Sequence, residues 1–322
     1  MKTAIALSLA LVVALAACQR QAEPDVAAAP AVPPCDRACL LGFVDKYVEA
    51  LANHDPARAG FAANARFTEN AQVLQIGDGI WNNTVEPPQG YQLVVADPTT
   101  GQAGFFMLAK ENTNPVWLSG RLKVEAQQIT ELETVVIRKG VGFGNFDRAA
   151  PEPVWDTLLE PAQRRPREAL QKVADAYFEA IEKNLTDAVS FDDACNRIEN
   201  GVQTTNNDSA NFGGPNGPGV GKLGCRDNIN SMMWRYIQRV SPRRFLAIDE
   251  ERGIVFGVFM FHQDGSIPST TVPGFGEYQY SATTLRPFTT VIPEMFKIRD
   301  GKIVQIEATM ASIPYGSRSR WE

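Results

Sequence analysis

A run dominated by apolar residues extends from Ala4 to Ala17, behind Met1, Lys2 and Thr3. It is too short to cross a bilayer comfortably, which takes about 20 residues, and fits the apolar core of a signal peptide. Residues 19–34 are rich in Ala and Pro with no hydrophobic period, which predicts a tether. From Leu40 to Asn53 the period becomes helical: Leu41, Val44, Tyr47, Val48 and Leu51 fall on one face. Asp36 is placed to cap that helix, and Pro56 ends it at His54-Asp55. A short helix is expected over residues 56–62. An alternating strand is expected over 66–76, then a turn at Gly77-Asp78-Gly79. Strand patterns follow over 91–96 and 103–110, joined through Asp97-Pro98-Thr99-Thr100-Gly101. A last hairpin, 116–126 with 129–138, turns at Gln127-Gln128. Helices followed by strands predict an α+β unit, its helices packed on a strongly bent antiparallel sheet.

The pattern then repeats. Phe43–Leu51 matches Val173–Ile181 at an offset of 130 residues, and Glu69-Asn70 falls on Glu199-Asn200 at the same offset. Asp97–Gly101 with its following strand resembles Asp249–Gly253 with its own, at an offset of 152. Leu122-Lys123-Val124, Ile129, Leu132 and Glu133 match Phe296-Lys297-Ile298, Ile303, Ile306 and Glu307 at 174. The anchors keep their order while the offset grows twice by 22. A duplication with two insertions in the second copy explains this, one over 203–224 and one between Phe261 and Pro287. The expected organisation is a signal peptide (1–17), a tether (18–34), a first unit (35–139), a linker (140–166) and a second unit (167–322).

Composition narrows the partners. Hydrophobic residues make up 44% of the chain, and the net charge is −6 with no basic run, which argues against nucleic acid. Besides Cys18, four cysteines remain: Cys35, Cys39, Cys195 and Cys225. An even number in an exported chain predicts disulfides. Three pairings are open. The pairs nearest in sequence, Cys35–Cys39 and Cys195–Cys225, are favoured over a four-cysteine zinc site, because His54 and His262 are remote from the cysteines. No metal and no cofactor are expected. Gly219-Val220-Gly221-Lys222-Leu223 lacks the spacing of a phosphate loop, and no Gly-x-Ser-x-Gly elbow occurs.

The run Leu15-Ala16-Ala17-Cys18 resembles the bacterial lipobox. That resemblance implies cleavage before Cys18 and its acylation, against the plainer alternative of cleavage after Ala16. Gln19 differs from the Asp that retains such proteins at the inner membrane. The expected location is therefore the cell envelope, lipid-anchored at the outer membrane and facing the periplasm.

The opening helix with Tyr47, the His54-Asp55-Pro56 break and the later sheet resemble the cone-shaped fold of nuclear transport factor 2, or SnoaL-like fold. Residues 68–81 and 294–303, with Ile306-Glu307-Ala308, Pro314-Tyr315-Gly316 and Trp321, resemble a secreted family of unknown function. The resemblance implies two tandem SnoaL-like cones. Members of the fold often dimerise through the sheet, so two fused copies would form an internal pseudo-dimer. Enzymes of this fold use acid–base catalysis in an apolar pocket, and fold alone does not choose among its functions.

Glu69 and Glu199 are the candidate catalytic bases, with Asn70 and Asn200 as ligand-binding amides. Adjacent strand residues face opposite sides, so one of each pair would enter the cone. The alternative is that both cap local backbone. His262, at the end of an apolar strand, is a third catalytic candidate that would line a pocket mouth. Arg197 would bind an anionic ligand or pair with a carboxylate. Trp81, Tyr278 and Tyr315 would offer aromatic surface to a ligand, or form core. The expected function is a small-molecule binder, and, if an enzyme, a cofactor-free lyase, isomerase or hydrolase. The rival is a non-catalytic ligand-binding or protein-interaction module. A pocket enclosing either glutamate with a His or Tyr favours catalysis, and cones filled by aromatic rings favour scaffolding.

Overall fold

Two seven-stranded sheets, each with a long helix on one face, make up most of the described chain. The computed structural model describes residues 33–83, 85–86, 90–210, 214 and 216–322. The expected signal peptide, Cys18 and the expected tether up to residue 32 lie outside the described residues. Among the described residues no helix is long and apolar enough to cross a membrane.

The chain opens with α1 (Arg37–Ala52) and a 3-10 turn over Pro56–Ala59. Next come β1 (Phe61–Glu69), β2 (Gln72–Leu74), a 3-10 turn over Gly79–Asn82 and β3 (Val85–Glu86). β4 (Gln92–Asp97), β5 (Gln102–Glu111), β6 (Asn114–Glu125) and β7 (Gln128–Arg138) complete the first sheet. Two 3-10 turns, Pro153–Asp156 and Pro161–Gln163, interrupt the connecting segment before α2 (Arg167–Lys183). There follow β8 (Phe191–Glu199), β9 (Val202–Gln203), α3 (Cys225–Asn230), β10 (Arg239–Asp249) and β11 (Ile254–Gln263). The last elements are β12 (Ser269–Val272), β13 (Gly276–Gln279), α4 (Ala282–Leu285), β14 (Phe288–Arg299), β15 (Lys302–Ala308) and β16 (Ala311–Pro314).

Asp36 caps α1 by accepting the Cys39 N–H at 2.9 Å. The strand expected over 66–76 is instead a hairpin, β1–β2. Asn70 and Ala71 break it with φ of 47° and 62°, a conformation asparagine tolerates better than most residues. The sheets are also not purely antiparallel. β1 runs parallel to β7, and β8 parallel to β15. Each opening strand, which follows its helix in the chain, thus slots beside the last long hairpin strand of its own sheet.

Strand order is β2-β1-β7-β6-β5-β3, with β4 also on β5, in the first sheet. It is β10-β11-β14-β15-β8-β9, with β16 also on β14, in the second. The hairpin β12–β13 and α4 fill the segment between Phe261 and Pro287. The disulfides are Cys35–Cys39 and Cys195–Cys225.

Strand alternation divides the core into layers. α1 buries Leu40, Phe43, Val44, Tyr47 and Leu51 against one face of the first sheet. α2 buries Leu170, Ala174, Tyr177, Phe178 and Ile181 against one face of the second. The opposite faces pack on each other through Leu93, Val95, Phe106, Trp117 and Ile137 from one side and Ile254, Phe256, Met260 and Met295 from the other. The described chain from Pro33 to Glu322 is accordingly one compact unit.

Candidate functional site

Residues aligned across neighbouring strands share a face, so ladder register shows what α2 looks down upon. In the second sheet one such row reads Glu199, Ala308, Glu294, Gly257. Two carboxylates thus stand two strands apart, about 10 Å between backbones, with only the Ala308 methyl between them. Above them is a cavity of about 1160 Å³ whose lining includes Glu199, Glu294, Arg197, Tyr177, Trp234 and Tyr236.

The same row of the first sheet reads Glu69, Thr134, Gly120, Phe105. There the helix-facing side is occupied by rings. Phe105 lies 5.6 Å from Tyr47, and Tyr47 lies 5.7 Å edge-on from Trp81. All three are buried. Glu69 accepts the Ile80 N–H at 2.8 Å and sits 3.6 Å from Arg138. Burial pushes its pKa up, against the lowering effect of that N–H and of Arg138. It does not line the large cavity.

Burial dominates the electrostatics of the second site. Glu294 is 2% exposed, and its Oε2 meets no donor among the described residues. Burial first, and the charge of Glu199 second, push its pKa well above the usual carboxylate range, while Arg197 and Tyr177 pull weakly the other way. Burial thus favours the protonated, uncharged form of Glu294. Glu199 is less buried and forms an ion pair with Arg197, Nε to Oε1 at 3.4 Å. Burial opposes the charge on Arg197, but Glu199, Tyr177 and Glu294 outweigh it and push the guanidinium pKa up. Arg197 also donates to Asn228 Oδ1 at 2.9 Å and to Thr204 Oγ1 at 3.2 Å, and stacks 5.1 Å over Trp234. These contacts fix it. Tyr177 lies within hydrogen-bonding reach of Arg197 and Glu294, and burial pushes its pKa up, so it stays a neutral phenol.

The structure brings Glu199, Arg197, His262, Asn70 and Asn200 to the lining of one cavity. Their engagements differ. The asparagine amides serve the backbone. Val136 N–H donates to Asn70 Oδ1 at 2.9 Å and Asn70 Nδ2 donates to the Val136 carbonyl at 3.2 Å. Met310 N–H donates to Asn200 Oδ1 at 2.8 Å, and Asn200 Nδ2 donates to the Phe143 carbonyl at 3.1 Å. Each amide extends the parallel pairing of its strand by one step, which accounts for the repeated Glu-Asn dipeptide without invoking a ligand. His262 Nε2 faces the Ser241 carbonyl at 2.7 Å, so that nitrogen donates, and Nδ1 accepts from Thr289 Oγ1 at 3.0 Å. With both nitrogens occupied and burial pushing its pKa down, His262 is a neutral wall residue rather than a proton carrier.

Trp81, Tyr278 and Tyr315 stand outside the cavity lining. Trp81 is core beneath α1, and neither Tyr278 nor Tyr315 lines the cavity. Tyr278 instead packs edge-on 5.7 Å from Tyr280, and Tyr315 is 49% exposed. Other rings line the cavity, among them those of Trp234 and Tyr236. Glu294 and Tyr177 were missed as site residues. The signal for Glu294 was available: in β14 it is the one charged residue on the parity of Ile292, Phe296 and Ile298, which bury. Among the described residues no cluster of three or more His, Cys, Asp or Glu side chains suits a metal ion.

A family model described as Domain of unknown function (DUF8021) matches residues 163–310, the segment that carries this site. No curated protein matches the chain. Several solved structures are similar over part of it, three of them as follows. A candidate isomerase from Bacillus subtilis is 10% identical with a TM-score of 0.27, over 44% of this chain and 88% of its own. IdmH, a candidate polyketide cyclase from Streptomyces antibioticus, is 15% identical with a TM-score of 0.27, over 44% and 91%. Hexachlorocyclohexane dehydrochlorinase LinA-type3 from Novosphingobium barchaimii LL02 is 14% identical with a TM-score of 0.26, over 48% and 94%.

Proposed function

We propose that the second sheet and α2 form a small-molecule site that moves a proton on its ligand, Glu294 acting as acid and Glu199 as base. The observation that carries this is the pair of carboxylates facing one cavity in unlike environments. One is 2% exposed, with burial pushing its pKa well up, and the other is paired with Arg197 at 3.4 Å. Environments that push paired groups apart assign acid and base. Abstraction of a proton next to a carbonyl suits this geometry. Glu199 would take the proton, while the Glu294 O–H would donate to the oxygen on which charge develops. The reaction class is then a cofactor-free isomerisation or elimination. Filled by Tyr47, Trp81 and Phe105, the first sheet serves as scaffold.

The reading extends to origin and place. The two halves are tandem SnoaL-like units, bounded at 35–139 and 167–322, and packed as an internal pseudo-dimer. What supports this is the shared strand order and the matched rows, in which Glu69, Phe105 and Gly120 correspond to Glu199, Gly257 and Glu294 at offsets of 130, 152 and 174. Cys18 carries the lipid anchor at the outer membrane. Cys18→Ala would move the protein from the membrane to the soluble fraction of a Gram-negative host, and unchanged fractionation would end that part.

The test of the chemistry is solvent deuterium uptake, followed by NMR, into carbonyl compounds that raise the melting temperature of the full chain. Glu199→Gln is expected to slow uptake by about 10²–10⁴-fold while keeping the thermal shift. Uptake that survives both Glu199→Gln and Glu294→Gln would overturn the mechanism and leave a binding module.

A further inference from the structure

The cavity is much longer than the acid–base pair needs. Phe288, Thr290, Ile292 and Glu294, four successive same-face residues of β14, all line it. At about 3.3 Å per residue it follows the strand for roughly 20 Å. Glu294 and Glu199 occupy one end. The middle is apolar, walled by Ile292, Phe261 of β11 and Ile181 of α2.

The other end is polar and incompletely satisfied. Gln263 of β11 is paired with Phe288 there and is 2% exposed. Its Nε2 donates to the carbonyls of Thr284 and Arg286, which fixes the orientation of the amide. Gln263 lines the cavity, and its Oε1 is buried and meets no donor among the described residues. A buried carbonyl without a donor costs about 1–3 kcal/mol, so it marks a place where a ligand's O–H or N–H is favoured. Arg286 lines the same end and is exposed. Of the three arginines along the cavity, Arg197 is paired with Glu199 and Arg138 with Glu111. The Arg286 guanidinium has no carboxylate partner among the described residues, which leaves it open to an anion.

We infer that the cavity takes an elongated anionic amphiphile. Its apolar body lies along β14, and its head places negative charge at Arg286 and a donor hydrogen on Gln263 Oε1. A monoalkyl phosphate in its monoanionic form has both. The inference rests on the reading of this cavity as the ligand site, but not on the proton chemistry at its far end.

The experiment is calorimetric titration of the full chain with decyl phosphate, ethyl phosphate and decanol, below micelle-forming concentrations. Decyl phosphate is expected to bind at least tenfold more tightly than decanol, and ethyl phosphate to bind far more weakly than either. Arg286→Ala should erase the preference for phosphate over alcohol, and Gln263→Leu should reduce it. Glu294→Gln should leave that preference intact, so a failure of the acid–base mechanism reads separately. Equal binding of decyl phosphate and decanol, no binding of either, or a preference that survives Arg286→Ala would each overturn the proposal.

Discussion

The two sheets share strand order and differ in what stands on the helix-facing side, and three matched positions account for the difference. Where the second sheet has Arg197, Gly257 and Glu294, the first has Phe67, Phe105 and Gly120. Phe67 and Phe105 close the first sheet's interior together with Tyr47. In the second, the ring at the Phe105 position is gone and a carboxyl has moved one strand over. The exchange is confined by backbone as well as by volume. A Cβ on Gly257 would stand 2.3 Å from the Arg244 carbonyl, and one on Gly120 2.0 Å from the Glu133 carbonyl. Neither glycine tolerates its counterpart without moving a neighbouring strand. One architecture thus yields a packed scaffold or a reactive hollow, according to which strand carries the side chain and which the glycine.

The hardest way to break the comparison is to hollow the filled side. Phe105→Ala is expected to cost about 3–5 kcal/mol, since the ring is wholly buried among Tyr47 and its neighbours. Urea unfolding measures this. Ligand response in the second cavity should persist in the variant, because the two helix-facing sides lie on opposite sides of the sheet-on-sheet core. A loss under 1 kcal/mol would mean that the first side is not packed as described.

The disulfides differ in the same sense. Cys195–Cys225 closes 30 residues and Cys35–Cys39 only 4. Chain entropy assigns them roughly 4 and roughly 2 kcal/mol respectively. Removing each by paired Ser substitution should therefore lower stability more for the second sheet, where the bridge ties β8 to α3 under Arg197. Equal losses would show that loop closure is not the dominant contribution.

A third contrast lies between the sheets. Glu133 and Glu307 occupy matched positions on the mutually packed faces. Glu133 is held by Arg121 and Arg244. Glu307 receives the Tyr91 hydroxyl, and its other oxygen meets no donor among the described residues. Burial raises the Glu307 pKa from 4.5 to about 7, despite the hydroxyl. The folded state thus keeps a proton that the unfolded chain releases between those values. Glu307 contributes most stability below pH 4.5, and that contribution falls as pH rises to about 7, by roughly 3 kcal/mol in all. Glu307→Gln should remove this part of the slope in melting temperature between pH 5 and pH 7.5. A slope equal to wild type would place the proton elsewhere.

Much of this was legible in the residues. Tyr47 and Tyr177, Glu69-Asn70 and Glu199-Asn200, and the closing hairpins announce two similar halves through spacing alone. The Asp36 cap of α1 and the near-neighbour disulfides follow from local rules. Parallel pairing of β1 with β7 was not legible, because hydrophobic alternation is the same whichever way a neighbour runs. The role of the asparagines was hidden for a related reason. An amide that imitates a peptide group is indistinguishable in sequence from one that meets a ligand. Glu294 could be seen only by following strand parity through β14, where a single acid interrupts a buried apolar stripe. That Gly257 is its necessary companion depends on register across β11, which composition does not carry.

The smallest effect has the opposite sign to the others. Glu294→Leu replaces a neutral buried acid with an unpartnered oxygen by an apolar side chain of similar reach, against Ile292 and Phe296. Burying a polar group without a full set of partners costs about 1–3 kcal/mol, and the substitution should recover part of it. The variant is therefore expected to melt a few degrees higher than wild type, while solvent deuterium uptake is lost. The matched change in the first sheet, Glu69→Leu, should destabilise instead, because Glu69 accepts the Ile80 N–H and pairs with Arg138. Opposite signs at two glutamates on the same sheet face would identify one as function held at the expense of stability and the other as structure. If Glu294→Leu also melts lower, Glu294 is bonded more completely than its surroundings indicate, and the contrast between hollow and filled sides narrows to volume alone.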